Sequence, residues 1–262
     1  MFVSRNRLLA LALVAGAAMA QTPEEQGRAI AVETDRRDTG FGDFTAEMVM
    51  TLHNRHGEES VRAMYTRVLE GATAGDGDKS LISFDEPADV KGTSLLTYTH
   101  KQGPDDQWLY LPALKRVKRI ASSNKSGPFM GSEFAYEDLN SQEIEKYSHR
   151  FLRDDVLDGR PVFVVERDPV DENSGYTREV VFIDKEHYRP AKVDYYDRKN
   201  AHLKTLIFSE YQQYLGQYWR AGVMDMSNHQ TGKRTILRWN DYRFGHGFNE
   251  NDFSQNSLKR AR

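Results

Sequence analysis

The sequence predicts a mainly β protein with a few helices. Apolar and polar residues alternate over runs of strand length, and clusters of glycine, asparagine and proline separate those runs at hairpin spacing. A hydrophobic content of 39% with 11% aromatics is enough to build a core and argues against bulk disorder. There is no convincing repeat, linker or low-complexity block, so residues 21–262 are expected to form a single domain.

Residues 1–20 read as an export signal. Arg5 and Arg7 form a positive n-region, Leu8 to Ala18 is uncharged and apolar, and Ala18-Met19-Ala20 is a small-x-small cleavage site before Gln21. The apolar run is about half of the roughly 20 residues that span a bilayer, so cleavage after Ala20 is expected rather than anchoring. A lipid anchor at the cut would need a cysteine, and the chain has none.

Thr22-Pro23-Glu24-Glu25 then starts a helix running to about Arg37, with a capping hydroxyl, an N-terminal proline and acids in the first turn. Period-two alternation begins at Phe44 and continues through Ala46, Met48, Met50 and Leu52. Further strands are expected at 59–69, 81–84, 93–99 and 107–120. A polar loop over 122–132 leads to a helix over 132–147. Strands resume at 149–153, 161–167, 176–184, 191–196 and 203–211. A long hairpin closes the pattern, 218–228 against 233–244, turned at Gln230-Thr231-Gly232.

Composition removes several function classes. The absence of cysteine excludes disulfides, thiolate zinc sites and thiol nucleophiles. The formal charge of −3, more acidic once Arg5 and Arg7 are removed, disfavours a nucleic-acid partner. His53 and His56 lack a third ligand, and Gly131-Ser132-Glu133 is not a nucleophile elbow. Asp76-Gly77-Asp78 starts like a calcium loop but continues with Lys79 and reads as a turn. No catalytic residues, metal site or cofactor are expected, and the protein is not read as an enzyme.

Two local features rise above this background. Trp108 and Tyr110 share one face of a strand that ends at Pro112. Lys115, Arg116, Lys118 and Arg119 crowd positive charge into an acidic chain, which reads as a solvated strand end or as a docking patch for an acidic partner or anionic head groups. Methionines on the alternating runs could line an adaptable concavity for a flexible chain.

Trp108-x-Tyr110-x-Pro112, followed by Pro128-Phe129-Met130, resembles the LolA-like superfamily of periplasmic lipoprotein carriers. The stretch from Asp106 to Leu139 is similar to its outer membrane lipoprotein-sorting protein branch, and the order of elements agrees over most of the chain. The resemblance implies an incompletely closed, strongly curved antiparallel β-barrel with helices covering its mouth and an apolar concave face that shields acyl chains. It also implies a periplasmic, monomeric carrier of a lipid or acylated cargo, without cofactor. Such a carrier would work between an inner-membrane transporter and an outer-membrane acceptor, and would not itself span the membrane. Phe44, Met48, Met50, Trp108, Tyr110, Phe129, Met130 and Phe163 are the candidate cavity residues. A ligand-sensing module of the RseB type, regulating a partner protein, is the alternative on the same fold.

Overall fold

The computed structural model describes residues 21–72 and 76–260, and the expected signal segment 1–20 lies outside them. The N-terminal helix forms as α1 (Pro23–Asp38), and its start is specified locally. Glu25 N–H donates to Thr22 Oγ1 at 3.1 Å and Thr22 N–H donates to the Glu25 carboxylate at 2.9 Å, a reciprocal cap.

Two meanders follow. The first comprises β1 (Asp43–His53), β2 (Glu59–Leu69), β3 (Asp76–Glu86), β4 (Ser94–His100), β5 (Asp106–Leu111) and β6 (Arg116–Ile120). The second comprises β7 (Tyr147–Leu157), β8 (Arg160–Pro169), β9 (Tyr176–Asp184), β10 (Pro190–Asp197) and β11 (His202–Ser209). A small separate hairpin, β12 (Gln212–Tyr214) and β13 (Tyr218–Arg220), precedes β14 (Val223–Asn228) and β15 (Arg234–Phe244). β14 pairs with β11 and β15 with β1, which joins the meanders into one thirteen-stranded antiparallel sheet. Its edges are β6 and β7, which do not pair with each other, so the curved sheet is not closed by hydrogen bonds. The architecture is therefore mainly β, with the open curvature that the resemblance implied.

Alternation decides which side chains face the concavity. Met48 lies opposite Met64 on β2 and Trp239 on β15, and Met50 lies opposite Leu237. Ala46, Met48 and Met50 are buried while Glu47 is exposed. Facing residues from both meanders merge into one cluster that includes Met64, Phe84, Leu95, Val165, Val181, Leu206 and Met226. Burying each large side chain contributes about 1.5–3 kcal/mol, so this cluster is the main source of stability. α1 adds Ile30 to it and lies against β7, where Gly27 permits a close approach. A Cβ at Gly27 would sit 2.7 Å from the Phe151 backbone nitrogen and 2.8 Å from backbone atoms of Arg150.

Residues 121–146 connect the two edge strands and fold into the concavity, with Phe129 and Phe134 almost fully buried. The helix expected over 132–147 does not form. Short 3-10 turns occupy Phe129–Gly131, Tyr136–Leu139 and Ile144–Lys146. Part of this segment's backbone bonds outward to the sheet, and the rest closes short local turns rather than a continuous helix. Arg62 Nη1 donates to the Met130 carbonyl at 2.6 Å, Lys204 Nζ to the Glu133 carbonyl at 2.9 Å, and Glu133 N–H to Thr235 Oγ1 at 3.0 Å. The single strand expected over 107–120 is a hairpin. Pro112 cannot donate to the ladder, and a 3-10 turn at Pro112–Leu114 with Lys115 at φ 48° reverses the chain. The closing hairpin is shorter than expected, because Tyr218–Arg220 pairs with β12 rather than with β15.

The chain after β15 packs on the opposite face of the sheet and ends in a short helix, α2 (Gln255–Leu258). The Asp43 carboxylate accepts N–H bonds from His246, Gly247 and Phe248 at 2.6, 2.8 and 3.0 Å. Phe253 and Leu258 bury themselves against Leu81 and Leu96.

Candidate functional site

One end of the concavity is filled and the other is hollow. A cavity of about 360 Å³ lies between α1, the β12–β13 hairpin and the concave face of the sheet. The sheet contributes Phe44 and Val68 from the first meander, Phe208 from β11, Met224 from β14, and Trp239 and Tyr242 from β15. Phe41, Tyr211, Trp219 and Ala221 close it from the loops and the small hairpin, while Leu139, Asn140 and Ser141 come from the segment that fills the other end. The lining is mostly aromatic and aliphatic. Its volume falls near the lower end of the roughly 300–1,000 Å³ typical of small-molecule sites.

Three arginines enter this apolar setting with their guanidinium groups over aromatic rings. Arg37 lies 4.3 Å from the Tyr188 ring centroid and donates to the Glu186 carbonyl at 2.8 Å. Arg220 lies 5.1 Å from Phe41 and 5.5 Å from Phe44, and pairs with Asp38. Arg189 sits 4.5 Å from Tyr211 and 4.3 Å from Trp219. Such contacts are worth about 0.5–2 kcal/mol and let a cation line an oily space. Burial pushes the Tyr211 and Tyr242 hydroxyls well above the usual tyrosine range, so both are neutral walls at physiological pH. Burial likewise raises the Asp78 carboxyl, opposed by bonds from the Ser141 hydroxyl at 2.8 Å and Gly71 N–H at 3.1 Å.

The filled end is fastened by a buried polar network. Lys204 Nζ donates to Asp138 Oδ2 at 2.6 Å, the Tyr176 hydroxyl donates to Asp138 Oδ1 at 2.7 Å, and Ala135 N–H donates to Oδ2 at 2.6 Å. Nearby, Arg167 pairs with Glu179 at 2.6 Å, while burial raises the Glu179 carboxyl. Asp138 immediately precedes Leu139, so the same network that holds the inserted segment also positions one wall of the hollow.

The candidate cavity residues divide sharply. Phe44 lines the cavity. Met48, Met50 and Phe129 face the concavity but lie in its filled end, at 2%, 0% and 1% exposure. Met130 packs at the margin of the same cluster. Phe163 is half-buried between Phe151 and Tyr188, with Lys185 Nζ 4.7 Å from its ring. Trp108 and Tyr110 point the other way: they pack on the opposite face with Leu81, Leu96, Phe253 and Leu258. The shared face was read correctly for these two rings, but which face it is depends on the C-terminal segment that covers it. Lys115, Arg116, Lys118 and Arg119 sit on or beside the edge strand β6, and Arg119 pairs with Asp106. Charge on an edge strand discourages pairing with other chains.

Sequence reasoning missed Arg37, Arg189, Arg220, Tyr211, Trp219, Trp239 and Tyr242. The available signal was the aromatic density of residues 208–244 combined with arginines at 189 and 220. Among the described residues, no group of three or more histidine, aspartate or glutamate side chains could hold a metal ion. Nor is any described helix long and apolar enough to cross a membrane.

An open, curved antiparallel sheet with a segment folded into its concavity is a LolA-like fold. A LolA superfamily protein from Nitrosomonas europaea superposes with a TM-score of 0.70 at 18% identity, over 88% of this chain and 98% of that one, a likeness of fold alone. Two solved structures are much nearer. An outer membrane lipoprotein-sorting protein domain from Vibrio parahaemolyticus is 59% identical, with a TM-score of 0.88, over 90% of this chain and 100% of its own. A DUF1329 family protein from Desulfovibrio piger is 31% identical, with a TM-score of 0.86, over 91% of this chain and 100% of its own. A family model described as "Uncharacterized protein" matches residues 76–260. No curated protein matches. The chain belongs to the DUF1329 family, within the LolA-like fold.

Proposed function

We propose that this chain is an exported periplasmic carrier that holds the apolar part of a lipid, an acylated protein or a similar hydrophobe and moves it through the cell envelope. The observation that carries this reading is the aromatic-lined hollow of about 360 Å³ at one end of an otherwise filled concavity. The export pattern of residues 5–20 supports the compartment, and so does the description of the Vibrio relative as a lipoprotein-sorting domain. Each methylene removed from water contributes about 0.8 kcal/mol, so a long chain crosses an aqueous compartment only with a carrier. Release then needs an acceptor of at least equal affinity or a change in carrier conformation. An inner-membrane transporter and an outer-membrane acceptor would fill the donor and receiver roles, with the basic edge at Lys115 to Arg119 as one docking surface. The role requires no catalytic step.

Native mass spectrometry of protein purified from the envelope tests this directly, together with uptake of a fluorescent acyl probe. Bound lipid and saturable uptake are expected. Repeated absence of both would remove the carrier reading.

A further inference from the structure

Two buried donors belong to residues that line the hollow and have no acceptor among the described residues: Arg189 Nη1 and Trp239 Nε1. Buried polar groups in folded proteins are nearly always paired, and leaving one unpaired costs about 1–3 kcal/mol. Two of them in the walls of one cavity call for an explanation.

The charges around them narrow the choice. Arg220 is paired with Asp38, and Arg37 is held by Glu33 at 2.7 Å. Asp78, the other carboxylate of the lining, is engaged by Ser141 and Gly71. Among the described residues, Arg189 has no carboxylate within ion-pair distance, so it is the one lining arginine whose charge is uncompensated. Its guanidinium is clamped between Tyr211 and Trp219, which fixes the direction of its donors before any ligand arrives.

We propose that the ligand of this cavity is a single-chain amphiphile with a carboxylate head, bound by Arg189 with Trp239 as second donor and with its chain against the aromatic walls. This rests on the carrier reading above and specifies its cargo. A planar guanidinium matches a carboxylate by paired charge-assisted bonds, and the indole N–H adds a neutral donor that makes no charge demand. One uncompensated cation suits a monoanion. A neutral alcohol would leave the arginine charge unpaired, and a doubly charged head would lack a second cation.

The test compares dodecanoate with dodecanol, which share a chain and differ in the head, by calorimetric titration of the purified protein. The wild type should bind the carboxylate about tenfold or more tightly than the alcohol, the scale of one charge-assisted bond. Arg189→Met should abolish most of the preference for the carboxylate over the alcohol, and Arg189→Lys should restore part of it. Trp239→Phe, which keeps a ring and removes the N–H, should weaken carboxylate binding by about threefold. Equal affinities in the wild type would overturn the head-group assignment. So would a preference that survives both Arg189→Met and Trp239→Phe, and in either case the cavity would still stand as an apolar site. If neither ligand binds the wild type, the single-chain cargo assignment is overturned, and the carrier reading is decided separately by bound lipid and acyl-probe uptake.

Discussion

The two ends of the concave face are built from the same strands and end in opposite states. At one end Met48, Met50, Met64 and Phe84 pack with Phe129 and Phe134 into a buried core. At the other, Phe44, Phe208, Trp239 and Tyr242 line a hollow of about 360 Å³. The sheet is continuous between them, so the difference comes from the segment at residues 121–146, which reaches only part of the way along the concavity. Where it inserts, the half-barrel has an ordinary core. Beside Leu139 to Ser141 the half-barrel is left hollow. The lesson is that one continuous open sheet can be packed solid at one end and left hollow at the other.

Substitutions can test that division. Phe134→Ala in the filled end should cost the most, about 3–5 kcal/mol, because the ring is fully buried and its cavity cannot collapse against a rigid sheet. Urea unfolding measures it, and a loss under about 1 kcal/mol would mean that the filled end is not the stable one. Lys204→Met should cost about 3 kcal/mol, since it leaves the Asp138 carboxylate buried with only Tyr176 and Ala135 as donors. Adding Asp138→Leu should recover part of that loss, and failure to do so would mean the pair acts through something other than charge.

A smaller, pH-dependent effect is expected beside the hollow. Burial, with Asp78 nearby, raises the Glu143 carboxyl from 4.5 to about 7. The folded state therefore keeps a proton that the unfolded state releases, and stability falls as pH climbs from about 4.5 to about 7. Glu143→Gln should flatten that decline and stabilise the protein by about 1–2 kcal/mol at pH 8. Thermal unfolding at pH 5 and pH 8 checks the sign, and equal behaviour of wild type and variant at both would contradict it.

Much of this division could be anticipated, though not its location. The period-two pattern placed Met48 and Met50 on the concave face correctly, and the strands at 59–69 and 176–184 have the expected bounds. Alternation tells which face a residue joins. It does not tell how far a distant segment will reach along that face, and this decides whether a methionine lines a hollow or fills a core. Trp108 and Tyr110 fail for a related reason: their partners Phe253 and Leu258 lie in a tail whose docking depends on Asp43, far away in sequence. The helix expected over 132–147 competes with bonds that tie Glu133 to two different strands: its carbonyl accepts from Lys204 and its N–H donates to Thr235. The arginines of the hollow carried no local motif at all. Their apolar setting is made by rings from distant parts of the chain.

The central claim is that the hollow end binds the hydrophobic ligand while the filled end does not. Ala221 lines the hollow, and Ala221→Trp would take up part of its volume without altering the residues that fasten the inserted segment. Binding of a fluorescent acyl probe to this variant, compared with the wild type, is the most direct measurement. Affinity should fall by about tenfold or more while the unfolding midpoint stays within a few degrees, because only the ligand's space is lost. Unchanged affinity in a folded Ala221→Trp protein would place the ligand elsewhere and contradict the account.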